Sequence, residues 1–522
     1  MTALSPYIYV ISRLYFLLVT FVFYVVNLFK TKQCVPPARD HLLFISASEA
    51  VKKIARKEIT SRQLIEAYIH RIEQVNDLIN AVVVKLFDDA INKAEEIDRQ
   101  IAASDDNQLA ELTKRCPLLG VPFSVKDAME VDGQVITCGV YSQKDIKCSS
   151  TAESIKRMEA AGAILIAITN VPEACFWLDT ANGIYGQTNN PYDVRRSAGG
   201  SSGGEGALIG AAGSVIGVGS DIGGSIRIPS FMNGIFGMKP TPGVIPLDGH
   251  VPPVKGYKQK MLRVGPMCRY VEDIPLLIEV MGGDRALDLN LRDTLDFRRI
   301  RIYYMEGIQN VSSMQTLSDE MRSALLEAVT HFEKKYDIEA IRLDLPLMTF
   351  ATEMFSNSLK VEGEPKTSEL FKSLKGDKGR LDWTIELPKL LVGHSVHTPG
   401  ALFASLFESM DKTTEEQRTE FLRLRDRLIR QITEVLGDDG ILFFPSWPQS
   451  VPYHHQSVFT PFDTAYTGVF NALALPVIEC PMGLDTNGLP LGVQIVGSLN
   501  SDRLLVAAAT EISASFGGWT SV

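Results

Sequence analysis

An unbroken apolar stretch stands near the start of the chain. Residues 7–29 are apolar except for Arg13 and a few small polar residues, and residues 14–29 carry no charge. A helix needs about 20 apolar residues to cross the hydrocarbon core of a bilayer. We therefore predict a transmembrane helix within an N-terminal membrane anchor over residues 1–32. A cleaved secretory signal and a buried core helix are the alternatives, but no small-residue cleavage site follows the stretch.

The charges beside this stretch indicate its orientation in a membrane. Lys30, Lys32 and Arg39 follow it, whereas Arg13 and the amino terminus precede its uncharged part. Positive residues accumulate on the cytoplasmic side of membrane helices. The pattern therefore favours a single-pass protein whose remaining chain faces the cytoplasm. A glycosylation sequon at residues 310–312 matters only in the opposite orientation.

Helical and strand patterns alternate after a linker that we predict over residues 33–45. Residues 118–127 form a short apolar run that ends on a lysine, and residues 163–169 form an unbroken apolar run. Such runs are typical of strands that are buried on both faces. A helical pattern precedes the second run, and this order predicts an α/β fold. We assign residues 46–522 to one catalytic domain.

Two further apolar segments predict a helical hairpin over about residues 385–411. Residues 387–392 and 402–410 flank Pro399 and Gly400. An amphipathic helix usually turns its apolar face toward the protein interior. The alternative is a membrane-facing surface beside the mouth of an active site.

Composition and charge exclude several classes of function. Hydrophobic residues make up 45% of the chain and charged residues 22%, as in ordinary globular proteins. The net charge of -10 argues against a nucleic-acid partner, which requires a basic surface. The seven cysteines are odd in number and contain no CxxC pair, so neither a disulfide framework nor a zinc site is expected. We predict no metal and no cofactor.

Serines lie inside two glycine-rich runs in the middle of the chain. The runs occupy residues 198–206 and 221–227, and the apolar residues 207–213 lie between them. A flexible linker would lack such apolar residues. Glycine adopts backbone conformations that cost other residues free energy, and it lets a substrate approach the main chain closely. The two runs therefore indicate a functional site.

The residue types near these runs restrict the chemistry. None of the eight histidines lies in either run, so a Ser-His-Asp triad is not evident, and neither a nucleophile-elbow nor a nucleotide-binding motif fits the spacing. Serine with lysine remains, because burial can lower the pKa of a lysine enough to make it a base. Lys126 ends an apolar run and suits this role. The alternative, that Lys126 pairs with Asp127 as an ordinary strand-end lysine, stays open.

Residues 199–206 and 221–227, together with Lys126, resemble the amidase signature family. Three further segments match the family as well, and they are residues 169–173, 186–191 and 492–494. Within the family, the N-terminal span and residues 233–237 and 265–270 look most like the type-2 fatty-acid amide hydrolases. The resemblance runs from about His41 to the carboxyl terminus and implies a central mixed sheet covered by helices.

The resemblance also implies a role for each residue of the glycine-serine runs. Ser225 would be the nucleophile, Ser201 a bridging serine held by a cis peptide bond, and Lys126 the base. A nucleophilic serine needs such a neighbouring base because its hydroxyl is a weak nucleophile at its own pKa. The oxyanion hole would consist of main-chain N–H groups, those of Ile222, Gly223, Gly224 and Ser225.

Other residues would support the site or bind the substrate. Ser202 and Arg227 would support it through hydrogen bonds, although purely structural roles are the alternative for both. Phe176 and Trp177 suit a bulky apolar acyl chain, and either aromatic ring could instead belong to the core.

The expected activity is the hydrolysis of fatty-acid amides to a free fatty acid and an amine or ammonia, catalysed at a membrane through a Ser-Ser-Lys acyl-enzyme mechanism. The expected partners are a lipid amide substrate and a membrane, with a homodimer left open. One alternative is an amidase-fold subunit that supplies ammonia to an amidotransferase. The other is a lipid-binding protein that has kept the fold without catalysis.

Overall fold

Thirteen β-strands occur within residues 6–522, which the computed structural model describes. They are β1 (Val82–Lys85), β2 (Pro122–Lys126), β3 (Ile164–Thr169), β4 (Ala181–Asn182), β5 (Gly186–Gln187), β6 (Ile216–Asp221), β7 (Phe236–Lys239), β8 (Arg263–Cys268), β9 (Arg301–Tyr304), β10 (Ile341–Arg342), β11 (Gly440–Pro445), β12 (Val477–Leu484) and β13 (Pro490–Gly497). Eleven of them form one sheet in the order β1-β3-β2-β6-β8-β7-β12-β13-β11-β9-β10, and β4 pairs with β5 in a separate ribbon.

The large sheet is mixed. β2 is parallel to β3 and β6, and β9 is parallel to β10 and β11. The other neighbouring strands are antiparallel. Every residue of β2, β3 and β6 is buried, so helices cover both faces of the sheet there. The predicted α/β fold with a central mixed sheet is confirmed.

Nineteen α-helices accompany the strands in the same part of the chain. They are α1 (Pro6–Leu28), α2 (Ala47–Ala55), α3 (Ser61–Ile79), α4 (Phe87–Ala103), α5 (Asp106–Arg115), α6 (Glu153–Ala160), α7 (Gly203–Gly210), α8 (Arg227–Met232), α9 (Lys258–Met261), α10 (Asp273–Gly282), α11 (Asp284–Leu287), α12 (Asp319–Tyr336), α13 (Ala351–Ser358), α14 (Thr367–Leu370), α15 (Trp383–Leu391), α16 (Pro399–Met410), α17 (Glu415–Leu436), α18 (Ala465–Ala472) and α19 (Asp502–Phe516).

The N-terminal helix α1 lies along the catalytic domain. Phe16 and Val19 are buried on its inner face. Arg13 donates hydrogen bonds to the carbonyl groups of Val311 and Met314 at 3.2 and 3.1 Å. Most of the large apolar side chains on the rest of the helix are exposed. By its length and composition α1 can cross a membrane, as the sequence predicts.

Residues 33–45, which we predict as a linker, follow the surface of the domain closely. Val35 is fully buried, and its N–H donates to the carbonyl of Pro191 at 3.0 Å. A 3₁₀ turn over His41–Phe44 buries Leu42 and Leu43. The segment is therefore packed against the domain at both ends.

The hairpin expected over about residues 385–411 consists of α15 and α16. The inner face of α16 buries Ala401 and Leu402 in a cluster that also contains Phe371. The outer surface of the pair exposes large apolar side chains, namely Ile385, Leu387, Leu391, Phe407 and Met410. One face of the hairpin thus belongs to the core and the other is exposed, so contact of the exposed face with a membrane stays a prediction.

Candidate active site

Lys126 lies at the end of β2, where the sheet buries it completely. Its Nζ lies 2.7 Å from Oγ of Ser201 and 3.1 Å from Oγ of Ser220. Asp127 does not share these contacts, because its carboxylate accepts from the N–H and hydroxyl of Thr137 at 2.8 and 2.5 Å. Lys126 is therefore bonded to hydroxyl groups rather than to the neighbouring carboxylate.

Burial lowers the pKa of Lys126. The neighbouring Cys175, Cys138, Asp221 and Glu205 act to raise the pKa of Lys126, but burial outweighs them. Burial raises the pKa of Glu205 to about 8, against the hydrogen bonds from Ser124 and Thr169. The charge of Asp221 is paired with Arg227. The lowered pKa makes the neutral form of Lys126, which is the form that can accept a proton, more accessible than in an exposed lysine.

Ser201 and Ser202 stand at the start of α7, beneath Lys126. The peptide bond between Gly200 and Ser201 is cis, as the resemblance implies. The Ser202 hydroxyl lies 3.3 Å from the carbonyl oxygen of Ser220. The main-chain N–H of Ser202 donates to the carbonyl of Ser225 at 3.1 Å. Ser202 therefore joins the two glycine-serine runs, and its supporting role in catalysis stays a prediction.

Ser225 lies in the turn between β6 and α8 and is half-buried. Within residues 6–522, its hydroxyl makes no hydrogen bond, and none joins it to Ser201. The main-chain N–H groups of Ile222, Gly223 and Ser225 are likewise without a partner in this part of the chain. These three groups are free donors beside the Ser225 hydroxyl, as an oxyanion hole requires.

The N–H of Gly224, the fourth donor expected for the oxyanion hole, already has a hydrogen-bond partner. It donates to the Asp221 carboxylate at 2.8 Å. The Gly224 φ of 122° lies in a region that side chains rarely adopt, and a Cβ there would lie 2.2 Å from Oγ1 of Thr467. Gly224 therefore contributes the turn of the backbone rather than a free N–H.

Arg227 is buried directly behind this turn. Its guanidinium donates to both oxygens of Asp221, with an Nε–Oδ2 distance of 3.0 Å, and also to Gln494 and Asn471. Although burial acts to raise it, the pKa of Asp221 lies well below its usual range because of Arg227. Arg227 thus holds the carboxylate that in turn holds the backbone on both sides of Ser225.

Comparisons with known proteins identify the family of this chain. The family model described as Amidase matches residues 63–506. The chain belongs to this amidase family. It is 39% identical to Fatty-acid amide hydrolase 2-A of Danio rerio over 488 residues, which cover 93% of this chain and 91% of that protein. It is 37% identical to Fatty-acid amide hydrolase 2 of Homo sapiens over 485 residues, which cover 92% of this chain and 91% of that protein.

A solved structure of a fatty acid amide hydrolase has the same fold. It matches with a TM-score of 0.73 and 23% identity over 92% of this chain and 87% of that chain. The resemblance to the amidase signature family and to its type-2 fatty-acid amide hydrolases is confirmed. The prediction of an enzyme that hydrolyses amide C–N bonds is confirmed with it.

The segment with Phe176 and Trp177 passes directly over the serine run of this amidase. A Cβ added at Gly200 would lie 2.5 Å from the Trp177 carbonyl oxygen. The Trp177 ring packs on Gly400 and, at 5.8 Å between centroids, on Phe403, both in α16. Phe176 packs in the adjoining apolar cluster. The Trp177 residue therefore connects the hairpin to the serine run, and contact of either ring with a substrate stays a prediction.

The sequence reasoning missed several residues that surround the amidase site. Ser220 and His250 form a hydrogen-bonded chain to Lys126. Burial acts to raise the pKa of the Cys175 thiol, but its neighbours Cys138, Lys126 and Ser201 outweigh burial and lower the pKa. The Phe355 ring covers Gly223. Ser220 could have been suspected because it directly precedes the second run, whereas no sequence signal marks the other three.

The pair His454 and His455, for which we expected no metal role, has structural contacts. His454 bonds to the side chain of Gln187 at 2.6 Å and to the carbonyl of Val194 at 3.0 Å. The N–H of His455 donates to Asp179 at 2.8 Å. These contacts tie two loops of the amidase together beside α1.

Proposed function

We propose that this protein is a membrane-anchored serine hydrolase that cleaves fatty-acid amides into a free fatty acid and an amine or ammonia. The observation that carries the proposal is the 2.7 Å contact between a buried Lys126 and Ser201, beside a half-buried Ser225. The similarity to two fatty-acid amide hydrolases over more than 90% of the chain supports the lipid amide as substrate.

In the first half of the reaction, neutral Lys126 takes the proton of Ser201 while Ser201 takes that of Ser225. The Ser225 hydroxyl turns toward Ser201, and its oxygen attacks the amide carbonyl carbon. The N–H groups of Ile222, Gly223 and Ser225 stabilise the negative charge that develops on the carbonyl oxygen. The C–N bond then breaks as the same protons return along the chain to the leaving nitrogen.

In the second half, water replaces the amine. The water oxygen attacks the acyl carbon, and its proton passes through Ser201 to Lys126. The bond between the acyl carbon and Ser225 breaks, the proton returns to the Ser225 oxygen, and the fatty acid leaves. One lysine thus acts as base and then as acid in both halves.

An apolar surface that reaches from α1 to the hairpin supports action at a membrane. Phe459 packs on Phe23 of α1 and is itself partly exposed. Phe462, three residues further, packs on Phe407 of α16. Phe459 and Phe462 therefore connect α1 to the hairpin, and Trp177 connects the hairpin to the serine run.

We further propose that α1 is a single-pass anchor with the catalytic domain on the cytoplasmic side. The charges that follow the helix support this orientation. A homodimer stays a prediction.

A fluorophosphonate probe tests the proposed nucleophile. The purified full-length protein in detergent micelles is treated with the probe and assayed on a long-chain fatty amide, next to Ser225→Ala and Lys126→Ala. We expect labelling and turnover of the wild type, no labelling of Ser225→Ala, and little turnover by Lys126→Ala. Labelling that persists in Ser225→Ala, or full amide hydrolysis by Lys126→Ala, contradicts the assigned roles.

The same assay separates the alternatives. An ammonia-supplying subunit would need its partner, so turnover of a fatty amide by the isolated chain excludes that role as its main one. A lipid-binding protein would retain a lipid without hydrolysing any amide or ester. Metabolite profiling of a membrane extract incubated with wild type or Ser225→Ala then identifies the fatty amide.

A further inference from the structure

His250 lies against the loop that follows Lys126. The His250 side chain is buried. Its main chain forms an antiparallel β-bridge with Met129, and the N–H of Val251 donates to the Ala128 carbonyl at 2.9 Å. The imidazole is therefore held in a fixed position relative to the end of β2.

The contacts of the His250 ring define its tautomer. Nδ1 lies 3.1 Å from the carbonyl oxygen of Pro252, which can only accept a hydrogen bond, so Nδ1 carries the proton. Burial, together with the nearby Lys126, lowers the pKa of His250 to about 4. At neutral pH the ring therefore has a free lone pair on Nε2. That nitrogen lies 3.0 Å from Oγ of Ser220 and accepts the Ser220 proton.

This arrangement decides what Ser220 can offer to Lys126. The single hydroxyl proton of Ser220 is used by His250, so its oxygen can only accept from Nζ of Lys126 at 3.1 Å. The carbonyl oxygen of Ser220, at 3.4 Å, is a second acceptor for the same amine. A neutral amine has two N–H groups and one lone pair. With both N–H groups turned to Ser220, the lone pair faces Ser201 at 2.7 Å.

We propose that His250 is a positioning residue, which acts through the Ser220 hydroxyl to keep the lone pair of Lys126 directed at Ser201. The inference rests on the proposed role of Lys126 as the base. His250 takes no proton in the reaction. Without an acceptor at this position the Ser220 hydroxyl can rotate and donate to Lys126, which would occupy the lone pair that the reaction needs.

The same geometry predicts a change in pH dependence. A hydroxyl that donates to His250 is a stronger acceptor, because hydrogen bonds in a chain polarise one another. It therefore stabilises the ammonium form of Lys126. The other titratable groups that face Lys126 are Cys138, Cys175, Asp221 and Glu205, and the His250 ring bonds to none of them within the described residues. Loss of His250 should therefore shift the acidic limb of kcat/KM to lower pH.

The test compares His250→Phe with His250→Gln in the full-length protein. Phe fills the site without an acceptor, whereas the Gln side-chain oxygen can still accept from Ser220. In His250→Phe we expect kcat to fall about 10- to 100-fold, as for other misplaced catalytic groups, with KM unchanged. The acidic limb of kcat/KM should also move to lower pH. His250→Gln should recover most of kcat and the wild-type limb.

A double-mutant cycle with Ser220→Ala distinguishes positioning from a structural role. Once the Ser220 hydroxyl is absent, nothing remains to rotate, so His250→Phe should add almost no further loss of kcat. Additive losses, or an unshifted acidic limb in His250→Phe, would overturn the inference. If His250→Phe does not fold, His250→Asn replaces it, because the shorter Asn cannot reach Ser220. Full activity of Lys126→Ala would instead refute the proposed function itself.

Discussion

The Arg227 guanidinium and the Asp221 carboxylate form a fully buried ion pair beneath the Ser225 turn, with 3.0 Å between Nε and Oδ2. The Asp221 oxygens also accept from the N–H groups of Gly224 and Ile226 at 2.8 and 3.2 Å. These two residues flank Ser225 in the chain. The ion pair therefore fixes the backbone that presents both the proposed nucleophile, Ser225, and the three N–H donors proposed for the oxyanion hole.

Arg227→Ala should lose most amidase activity and much stability. Removal of one partner of a buried ion pair costs about 3 to 5 kcal/mol, because the other charge stays buried without a partner. Arg227→Lys keeps the charge but not the forked geometry, so its kcat should lie between those of Arg227→Ala and the wild type. Thermal unfolding and kcat on a fatty amide measure both effects. Wild-type activity in Arg227→Ala would contradict the proposed support.

Lys126→Ala should lower kcat about 10²- to 10⁴-fold, the usual contribution of general acid–base catalysis. In the wild type, kcat/KM should rise with pH as Lys126 loses its proton. Since burial lowers the pKa of Lys126, the midpoint of this rise should lie at a lower pH than about 10.4, which is the pKa typical of a free lysine. The exposed Lys114 supplies the control Lys114→Ala, which should keep the wild-type profile. A rise centred near pH 10 would contradict a buried neutral base.

Local physical reasons in the sequence mark Lys126 and the glycine-serine runs as candidates for a functional site. Lys126 follows an apolar run, and a lysine at the end of a buried strand is desolvated wherever that strand lies in the sheet. The glycine runs mark where the backbone must turn sharply, and the φ of Gly224 agrees. The resemblance to a known family adds the roles of the serines.

The remaining parts of the site depend on contacts that no local pattern encodes. The contact between His250 and Ser220 joins residues that are 30 positions apart, with α8 and β7 between them in the chain. The hydrogen bond from the Gly224 N–H to Asp221 depends on the orientation of the Asp221 side chain. The docking of α1 through Arg13 joins residues about 300 positions apart. These features follow from tertiary packing, which pattern and propensity do not determine.

Leu391→Glu should impair access to membrane-embedded substrate without affecting chemistry. Leu391 is 79% exposed on α15, and the transfer of a leucine side chain into an apolar phase is worth about 1.5 to 3 kcal/mol. We expect KM for a long-chain amide in phosphatidylcholine vesicles to rise severalfold, with kcat on a short soluble amide unchanged. Leu287, 62% exposed on α11, gives the matched control Leu287→Glu. Equal effects of the two variants would argue against a lipid-facing hairpin.

Glu511→Gln should destabilise the protein at neutral pH and much less in acid. Burial raises the pKa of Glu511, but hydrogen bonds from Lys335, His331 and Tyr336 outweigh it and bring the pKa to about 2. A carboxylate with a lowered pKa stabilises the fold above its unfolded value of about 4.3, and this stability is lost as the pH falls toward 2. Hydrogen bonds to a charged group contribute about 1.5 to 3 kcal/mol each.

Thermal unfolding in detergent between pH 3 and pH 7 measures this difference. The gap in Tm between wild type and Glu511→Gln should narrow as the pH falls. Glu111 is exposed and makes no side-chain hydrogen bond within the described residues, so Glu111→Gln is the control and should leave Tm unchanged. A gap in Tm that is the same at both ends of the pH range would show that the Glu511 charge is not its source.

The orientation of the catalytic domain can be read from Asn310. This residue is exposed and begins the sequon of residues 310–312, next to Val311, whose carbonyl accepts from Arg13 of α1. An oligosaccharide is added only on the lumenal side of the membrane. If the domain faces the cytoplasm, as the charges after α1 favour, the protein expressed in eukaryotic cells should show no mobility change after endoglycosidase treatment.

A sequon in a tag joined to the amino terminus provides the opposite control. In the proposed single-pass orientation this tag lies in the lumen, so the tagged protein should carry a glycan that the endoglycosidase removes. Ser312→Ala abolishes the natural sequon and should change nothing in that protein. A glycan that is lost with Ser312→Ala would place the catalytic domain in the lumen. Absence of a glycan from both sites would mean that α1 lies in the membrane surface along the domain, where Arg13 already holds it, rather than crossing the bilayer.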